Sequence, residues 1–315
     1  MWTMEQSNKI EYLTKNKVSE FLKFIDTHWK KDHIFCKQKK IFDYQHKIDE
    51  DNYSFILTLN IQGEIQSVLG FIPSNDQESS MWLAIWKSIN VKGDGLRILK
   101  RLISDKTPNF IGAIGISEDA VKSYKILGWK VNSTKHYYLN LHYPGLRKNK
   151  INKSDIGYKL IGIDEKFNTH NNPRCEPFKD KNYYTKRYLH HPTYEYTILE
   201  IADCNLRFIG RSISYLGYSV FRIVDVIGEM DSILFKSALI QYMEDNKIDL
   251  IEMVMYDSVD PEIDMFLKSS EEVIPLYLSP FINKNIEIKV GYKSQSDRVR
   301  FFIGDSDQDR PNIKI

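Results

Sequence analysis

MWLAIWKS (Met81–Ser88), NVKGDG (Asn90–Gly95), LRILKRLISDK (Leu96–Lys106), FIGAIGIS (Phe110–Ser117) and EDAVKSYKILGW (Glu118–Trp129) follow one another in the chain and decide its fold. The first and fourth segments are short, apolar, rich in β-branched and aromatic residues and bounded by turn residues, which predicts buried strands. The third and fifth read as helices. Between the first strand and the first helix lies a turn with two glycines. A turn of that kind leaves backbone N–H groups unpaired at a positive helix end, where a phosphate or pyrophosphate can sit. An anionic cofactor is the first functional expectation.

Upstream, Val18, Phe21, Leu22, Ile25 and Trp29 fall at helical spacing and predict an amphipathic helix over residues 18–30. A second short helix fits residues 39–47. Residues 53–61 and 65–72, separated by Gln62-Gly63-Glu64, predict a hairpin, and residues 130–141 a single closing strand. No clear strand precedes the first helix. Residues 142–159 turn polar and basic and predict a linker or surface hairpin, with a domain boundary near residue 150; residues 169–181 are loop-like because of their prolines.

The second half repeats the organisation. Residues 194–202 and 205–214 predict a hairpin, 221–227 (FRIVDVI) a buried strand, 232–245 a helix, 250–256 a strand, 261–268 a short helix, and 276–281 and 298–303 further strands. Here Gly228-Glu229-Met230-Asp231 replaces the two-glycine turn. Acids at a helix start satisfy its N–H groups themselves and repel a pyrophosphate, so the second half is not expected to hold such a cofactor.

Composition bounds the rest. With 315 residues and 44 basic against 42 acidic side chains, the chain is long enough for two domains and carries no global bias toward nucleic acid or a membrane surface. Cys36, Cys175 and Cys204 suggest neither a disulfide frame nor a zinc site, and no metal is expected. The polar N-terminus and the lack of any run of ~20 apolar residues lead us to expect a soluble, cytoplasmic protein. The Asp-dense tail from Gly304 to Asn312 reads as a strand-end turn and not as a calcium loop.

The central stretch resembles the GNAT acyltransferases, which use acyl-coenzyme A. Their first signature is Arg or Gln, two residues, Gly, one residue, Gly or Ala; Asn90-Val91-Lys92-Gly93-Asp94-Gly95 matches at the glycines and departs at the first position. Their second is Asn-x-x-Ala-x-x-x-Tyr-x-x-x-Gly-aromatic; Ser117, Ala120, Tyr124, Gly128 and Trp129 match except for the leading Asn. The resemblance implies an α+β fold of two GNAT-like domains, 1–150 and 151–315. Each would be a mixed, mostly antiparallel sheet flanked by helices, with the active site in the cleft between them.

The resemblance also implies roles. Val91, Lys92, Gly93, Asp94, Gly95 and Leu96 would hold the coenzyme A pyrophosphate, with Asp94 turned away from it. The backbone of Ile85, Trp86 and Lys87 would serve the thioester, and Ser117 and Ser123 would complete the cofactor side. Tyr124 would donate a proton to the leaving thiolate, or else belong to a packing stripe. His33, in the loop between the first two helices, would border the acceptor; by residue type alone it reads as a surface histidine. Asp225 and His190 are candidate bases for a nucleophilic amine, with Arg187, Tyr188, His191 and Tyr194 on the substrate side. Asp225 reads equally as a structural carboxylate paired with Arg187 or Arg222.

With RYLHHP (Arg187–Pro192) followed by Tyr194 and Tyr196, RIVD (Arg222–Asp225) and GDSDQDRPN (Gly304–Asn312) added to that first half, nearly the whole chain resembles tandem-GNAT sugar N-acyltransferases of bacterial polysaccharide biosynthesis. That likeness implies direct transfer of an acetyl or short hydroxyacyl group, such as 3-hydroxybutanoyl, to the amine of a nucleotide-linked (dTDP-) amino-dideoxyhexose. A Fem-type aminoacyl transferase using aminoacyl-tRNA, and a non-catalytic nucleotide- or carbohydrate-binding module, are the alternatives.

Overall fold

The computed structural model describes residues 8–89, 93–150, 157–161, 175–201, 206–228, 230, 235–259, 261–274 and 286–306. The chain opens with β1 (Lys9–Thr14), then α1 (Val18–Phe24), which runs on as a π-turn over Ile25–Trp29, α2 (Ile34–Lys37) and α3 (Lys39–His46). Next come β2 (Asn52–Leu59), β3 (Ile65–Pro73), β4 (Ser80–Ser88), α4 (Asp94–Lys106), β5 (Phe110–Ile114), α5 (Glu118–Ile126), β6 (Lys130–Ser133) and β7 (Lys135–Asn140). The remainder comprises β8 (Tyr158–Ile161), α6 (Lys181–Tyr184) with a π-turn over Thr185–Leu189, β9 (Thr197–Ile201), β10 (Arg207–Tyr215), β11 (Tyr218–Ile227) and α7 (Phe235–Asn246). β12 (Leu250–Asp257), β13 (Phe266–Leu267), β14 (Lys289–Ser294) and β15 (Arg300–Phe302) close it.

Two sheets result, ordered β1-β2-β3-β4-β5-β14-β6 and β8-β9-β10-β11-β12-β7-β13. They match strand for strand: four antiparallel neighbours, one parallel pair (β4 with β5, β11 with β12), then two antiparallel strands. The expected repeat of organisation is present, as an α+β fold of two mixed sheets flanked by helices. The sheets do not divide the chain into consecutive pieces. β7 follows β6 after one residue yet belongs to the second sheet, and β14, from late in the chain, fills the corresponding place in the first. Residues 130–141 therefore form two strands where one was expected.

The missing first strand exists: β1 pairs with β2 from Lys9↔Leu59 to Thr14↔Asn52. It escaped notice because KIEYLT is an edge strand whose side chains are mostly half-exposed, leaving no apolar run. The helix expected over residues 261–268 is absent; the segment is irregular, bends at Asp264–Met265 and leads into β13. Its Pro261, Glu262, Asp264 and Met265 do not build a one-sided stripe, and Phe266 instead pairs with Tyr138. β8, β14 and α6 went unpredicted, and the strand expected at residues 276–281 lies outside the described residues.

Apolar layers hold the molecule together. α4 and α5 cover one face of the first sheet through Ile98, Leu99, Leu102 and Tyr124, while α1, α2 and α3 cover part of the other. α7 packs on the second sheet with Phe235, Leu239 and Met243. A shared layer then joins the halves, in which Trp82, Phe110 and Ile114 meet Tyr183, Tyr188, Val224, Val254 and Phe301. Burying those aromatics, at roughly 1.5–3 kcal/mol for each large side chain, makes the halves one body and fixes the cleft at their rim.

Candidate acyl-transfer site

β4 and β5 are hydrogen-bonded only from Ser80↔Phe110 to Trp82↔Gly112, after which the strands diverge. Just past that vertex, the β3–β4 register slips between Leu69↔Trp86 and Phe71↔Leu83, so Ala84 and Ile85 together face Gly70. Such a bulge leaves one residue outside the ladder. It falls where the sequence placed the thioester contact, at the start of Ile85, Trp86 and Lys87. Gly70 is fixed by the crowding around it, since a Cβ there would lie 2.7 Å from the Phe55 ring.

At the far end of the splay, Gly93 adopts φ +96° and starts α4 without a side-chain cap. The first-turn N–H groups of α4, Asp94, Gly95 and Leu96 among them, have no acceptor within the helix. The Asp94 carboxylate points inward, accepting from Thr58 Oγ1 at 3.1 Å, Asn8 Nδ2 at 2.5 Å and the Arg97 guanidinium at 2.7 Å. The expected turning away is thus satisfied by named partners. The two glycines differ in function. A Cβ on Gly93 would meet nothing within 4 Å, whereas one on Gly95 would lie 2.7 Å from Ser88 Oγ and 2.9 Å from Trp86 Nε1. Gly95 lets the helix approach β4; Gly93 turns the chain in open space. Val91 and Lys92 lie outside the described residues.

Tyr124 is buried on α5 between the diverging end of β4 and β14, its ring stacked on Trp129 at 4.4 Å and tilted against Trp86 at 5.4 Å. Burial raises its phenol above the ordinary value. Tyr124 thus packs in the core and keeps its proton at neutral pH. Ser117 caps α5 by accepting from Ala120 N at 3.3 Å, and Ser123 Oγ donates to Asp119 O at 3.2 Å.

A cleft of about 620 Å³ opens between the halves, lined by Tyr44, His46, Ile72 and Asn75 from the first and by Asp180, Tyr183, Lys186, Arg187 and His190 from the second. Of the residues expected at the acceptor, Arg187 and His190 line it. The others do not. His33 is buried, capping α2 by accepting from Phe35 N at 3.3 Å, so the surface reading fails. His191 turns away from its neighbour into the protein, accepting from Tyr194 N at 2.9 Å and stacking on the Tyr194 ring at 4.6 Å. Arg211 in turn lies over Tyr194 at 4.1 Å.

Asp225 is fully buried and bound to Lys179 Nζ at 2.7 Å, with Tyr188 Oη donating to its other oxygen at 2.9 Å. The structural reading of this residue holds, but with Lys179 as partner where Arg187 or Arg222 was expected. A second bulge brings Asp225 to the face where Lys179 lies. The β10–β11 register slips between Ile209↔Asp225 and Gly210↔Ile223, making Val224 the extra residue. Simple alternation would set Asp225 beside Ile223 under α7; the bulge moves it to the layer between the halves. Arg222 meanwhile pairs with Glu252 at 2.5 Å, and His136 Nε2 lies 2.7 Å from the same carboxylate. Glu252 is buried, which alone would raise its pKa, but Arg222 and His136 outweigh burial and hold it down at about 2.

By sequence, no known family and no curated protein matches the chain. By structure it is similar to a GCN5-related N-acetyltransferase from Kribbella flavida, with a TM-score of 0.57 and 8% identity over 91% of this chain and 70% of that one. It is also similar to a GCN5-related N-acetyltransferase from Anabaena variabilis, with a TM-score of 0.56 and 9% identity over 90% and 72% of the two chains. Across 91% of its length, the chain has the fold of the GCN5-related N-acetyltransferases.

Proposed function

We propose that the protein is an N-acyltransferase that takes an acyl group from acyl-coenzyme A in its first half and delivers it to an amine held in the cleft between the halves. The observation that carries this reading is the coincidence on β4 of a splay, a bulge at its vertex and an uncapped helix N-terminus at its open end. Those are the three features that a thioester with a diphosphate tail needs. N–H groups of the first α4 turn would hold the pyrophosphate, with Lys92 adding charge. The bulged backbone at Ala84 and Ile85 would offer a preset donor toward charge that develops on the carbonyl. Bound acyl-coenzyme A would supply an activated acyl group with a thiol leaving group.

Tyr124, with its raised pKa, suits hydrogen-bond donation to the departing sulfur better than complete proton transfer, because a thiolate of pKa ~8.5 leaves near neutral pH without much help. His190 is a basic side chain at the cleft that would accept a proton from an attacking amine. Asp225 is withdrawn from that role in this reading, since its oxygens already serve Lys179 and Tyr188. A nucleotide-linked amino-dideoxyhexose remains our preferred acceptor, on the sequence likeness to tandem sugar N-acyltransferases and on a cleft large enough for a nucleotide sugar. Sugar-nucleotide synthesis in the cytoplasm is the setting that acceptor implies.

Gly93 offers a clean test. Asp and Asn both tolerate a positive φ better than most residues, and neither side chain would be crowded at Cβ. Gly93→Asp is expected to abolish binding of acetyl-coenzyme A in calorimetry, while Gly93→Asn retains it to within a few-fold. Equal loss in both variants, or binding unaffected by the new charge, would sink the pyrophosphate assignment.

A further inference from the structure

The second half contains the same splay as the first, and it is filled. β11 and β12 pair only from Val220↔Leu250 to Ile223↔Met253, and beyond that point β15 enters the gap, pairing Phe302 with Met255 and Arg300 with Asp257. Ile303 N then donates to Val254 O of β12 at 3.0 Å and Gly304 N to the bulged Val224 O of β11 at 2.8 Å, so the segment bridges both walls. No side chain fits at position 304, where a Cβ would lie 2.4 Å from Val224 O. In the half that lacks the two-glycine turn, the protein's own backbone occupies the slot.

The occupant is gripped from the cleft side. Arg187 donates to Gly304 O through Nε at 3.1 Å and Nη2 at 2.8 Å. Tyr183 Oη donates to Asp305 Oδ1 at 3.2 Å, and Lys179 Nζ lies 3.0 Å from the same oxygen while also holding Asp225. Tyr183 and Arg187 both line the cleft. They stand on the short helix, residues 181–189, that also carries Lys186 and ends at His190.

We propose that the segment Ile303–Asp305 is a built-in occupant of the second half's cofactor slot, and that Asp305, through Tyr183 and Lys179, is a positioning residue for the wall of the acceptor cleft. The wall's place in acyl transfer rests on the function proposed above; its dependence on Asp305 does not. Around Asp305 are Lys179, Asp225, Tyr183, Tyr184 and Tyr188, with Phe302 N donating to its Oδ2 at 2.9 Å and Arg187 on the neighbouring Gly304 O, so two buried carboxylates share one ammonium. Burial first, and Asp225 with it, pushes the Asp305 carboxyl up to about 6. A carboxyl raised in the fold favours the folded wall while protonated and loses that favour as pH rises through its folded pKa.

Hydrogen–deuterium exchange on the full chain tests this, with Asp305→Ala and Asp305→Asn beside the wild type and rates corrected for intrinsic pH dependence. Asp305→Ala is expected to raise exchange across residues 181–190 by tenfold or more at pH 7, with residues 94–126 and the Kd for coenzyme A changed less than twofold. Asp305→Asn, which keeps an oxygen acceptor, should restore protection. Wild-type protection of residues 181–190 should fall between pH 5 and 7, and that of Asp305→Asn should stay flat. Unchanged protection in Asp305→Ala, loosening that spreads equally to residues 94–126, or the same pH profile in wild type and Asp305→Asn would each overturn the assignment. With acetyl-coenzyme A and a dTDP-linked 3-amino-3,6-dideoxyhexose, Asp305→Ala should raise KM for the sugar and not for the donor. If the wild type transfers nothing to that sugar, the function proposed above fails alone and the exchange data still decide the role of Asp305.

Discussion

Replacing Lys179 by Met should destabilise the protein far more than removing either of the carboxylates it serves. The ammonium is 7% exposed and lies 2.7 Å from Asp225 and 3.0 Å from Asp305, both of which are completely buried. Lys179→Met keeps the volume and removes the only cation that either carboxylate is bonded to among the described residues. Stranding buried charge in this way costs about 3–5 kcal/mol. Asp305→Asn instead leaves a neutral Lys179–Asp225 pair and an oxygen that still accepts from Tyr183, at the loss of the acceptor that Phe302 N has at 2.9 Å, so its cost at pH 7 should be about 1–3 kcal/mol, below that of Lys179→Met. The carboxyl raised to about 6 from the ordinary 3.8 sharpens the contrast. Wild-type stability should decline by up to ~3 kcal/mol as pH rises across that window, at 1.36 kcal/mol per pKa unit, and the Asn variant should lack the decline. Urea unfolding followed by tryptophan fluorescence and by circular dichroism, at several pH values from 4 to 8, measures all three quantities. A loss below about 1 kcal/mol in Lys179→Met, or an Asn variant as damaged as the Met variant, would refute the view that one lysine neutralises two buried acids.

Further outcomes follow from the same contacts. Glu252→Gln leaves the Arg222 guanidinium buried without its anion and should cost about 3–5 kcal/mol in the same unfolding assay. Because Glu252 is held at about 2, below the ordinary 4.5, its contribution is complete above pH 4.5 and should be lost as pH falls toward 2. Gly95→Ala should cost about 1–3 kcal/mol by crowding Ser88 and Trp86, and Gly95→Ala/Ser88→Gly should recover part of that, as a double-mutant cycle would reveal. Tyr124→Phe should leave stability within about 0.5 kcal/mol, and steady-state kinetics should show turnover reduced on the order of tenfold to a hundredfold with donor KM unchanged. Unchanged turnover would make Tyr124 a packing residue alone.

Much of the architecture was legible in the sequence because its cause is local. The apolar runs at Met81–Ser88 and Phe110–Ile114, the glycines between them and the stripe of α4 fix a strand–turn–helix–strand unit whatever surrounds it. The repeat in the second half was legible for the same reason. β1 and β8 were not, because an edge strand needs few apolar residues. The exchange of β7 and β14 between sheets left no trace in residues 130–141, since one extended stretch reads alike whether it stays in one sheet or crosses to another.

The site divides along the same line. Asp94, at the first position of the helix, could be assigned inward from the chemistry of an anion site alone, and Thr58, Asn8 and Arg97 hold it there. Asp225 could not be placed, because a single bulged residue at Val224 turns it from the helix layer to the layer between the halves, where Lys179 waits 46 positions earlier in the chain. His33 drew attention as a loop histidine, although the fold uses it to cap α2. Tyr183 and Lys186 carried no signal beyond their composition.

By itself, the sequence determined two sheets of like order and a two-glycine turn into a helix in only one of them, because periodicity, turn chemistry and helix-end charge act over a few residues. Only the tertiary structure decided which strands complete each sheet, where the bulged residues point their side chains and what fills the second splay. Those outcomes depend on pairing and burial between segments far apart in the chain, which no local pattern encodes.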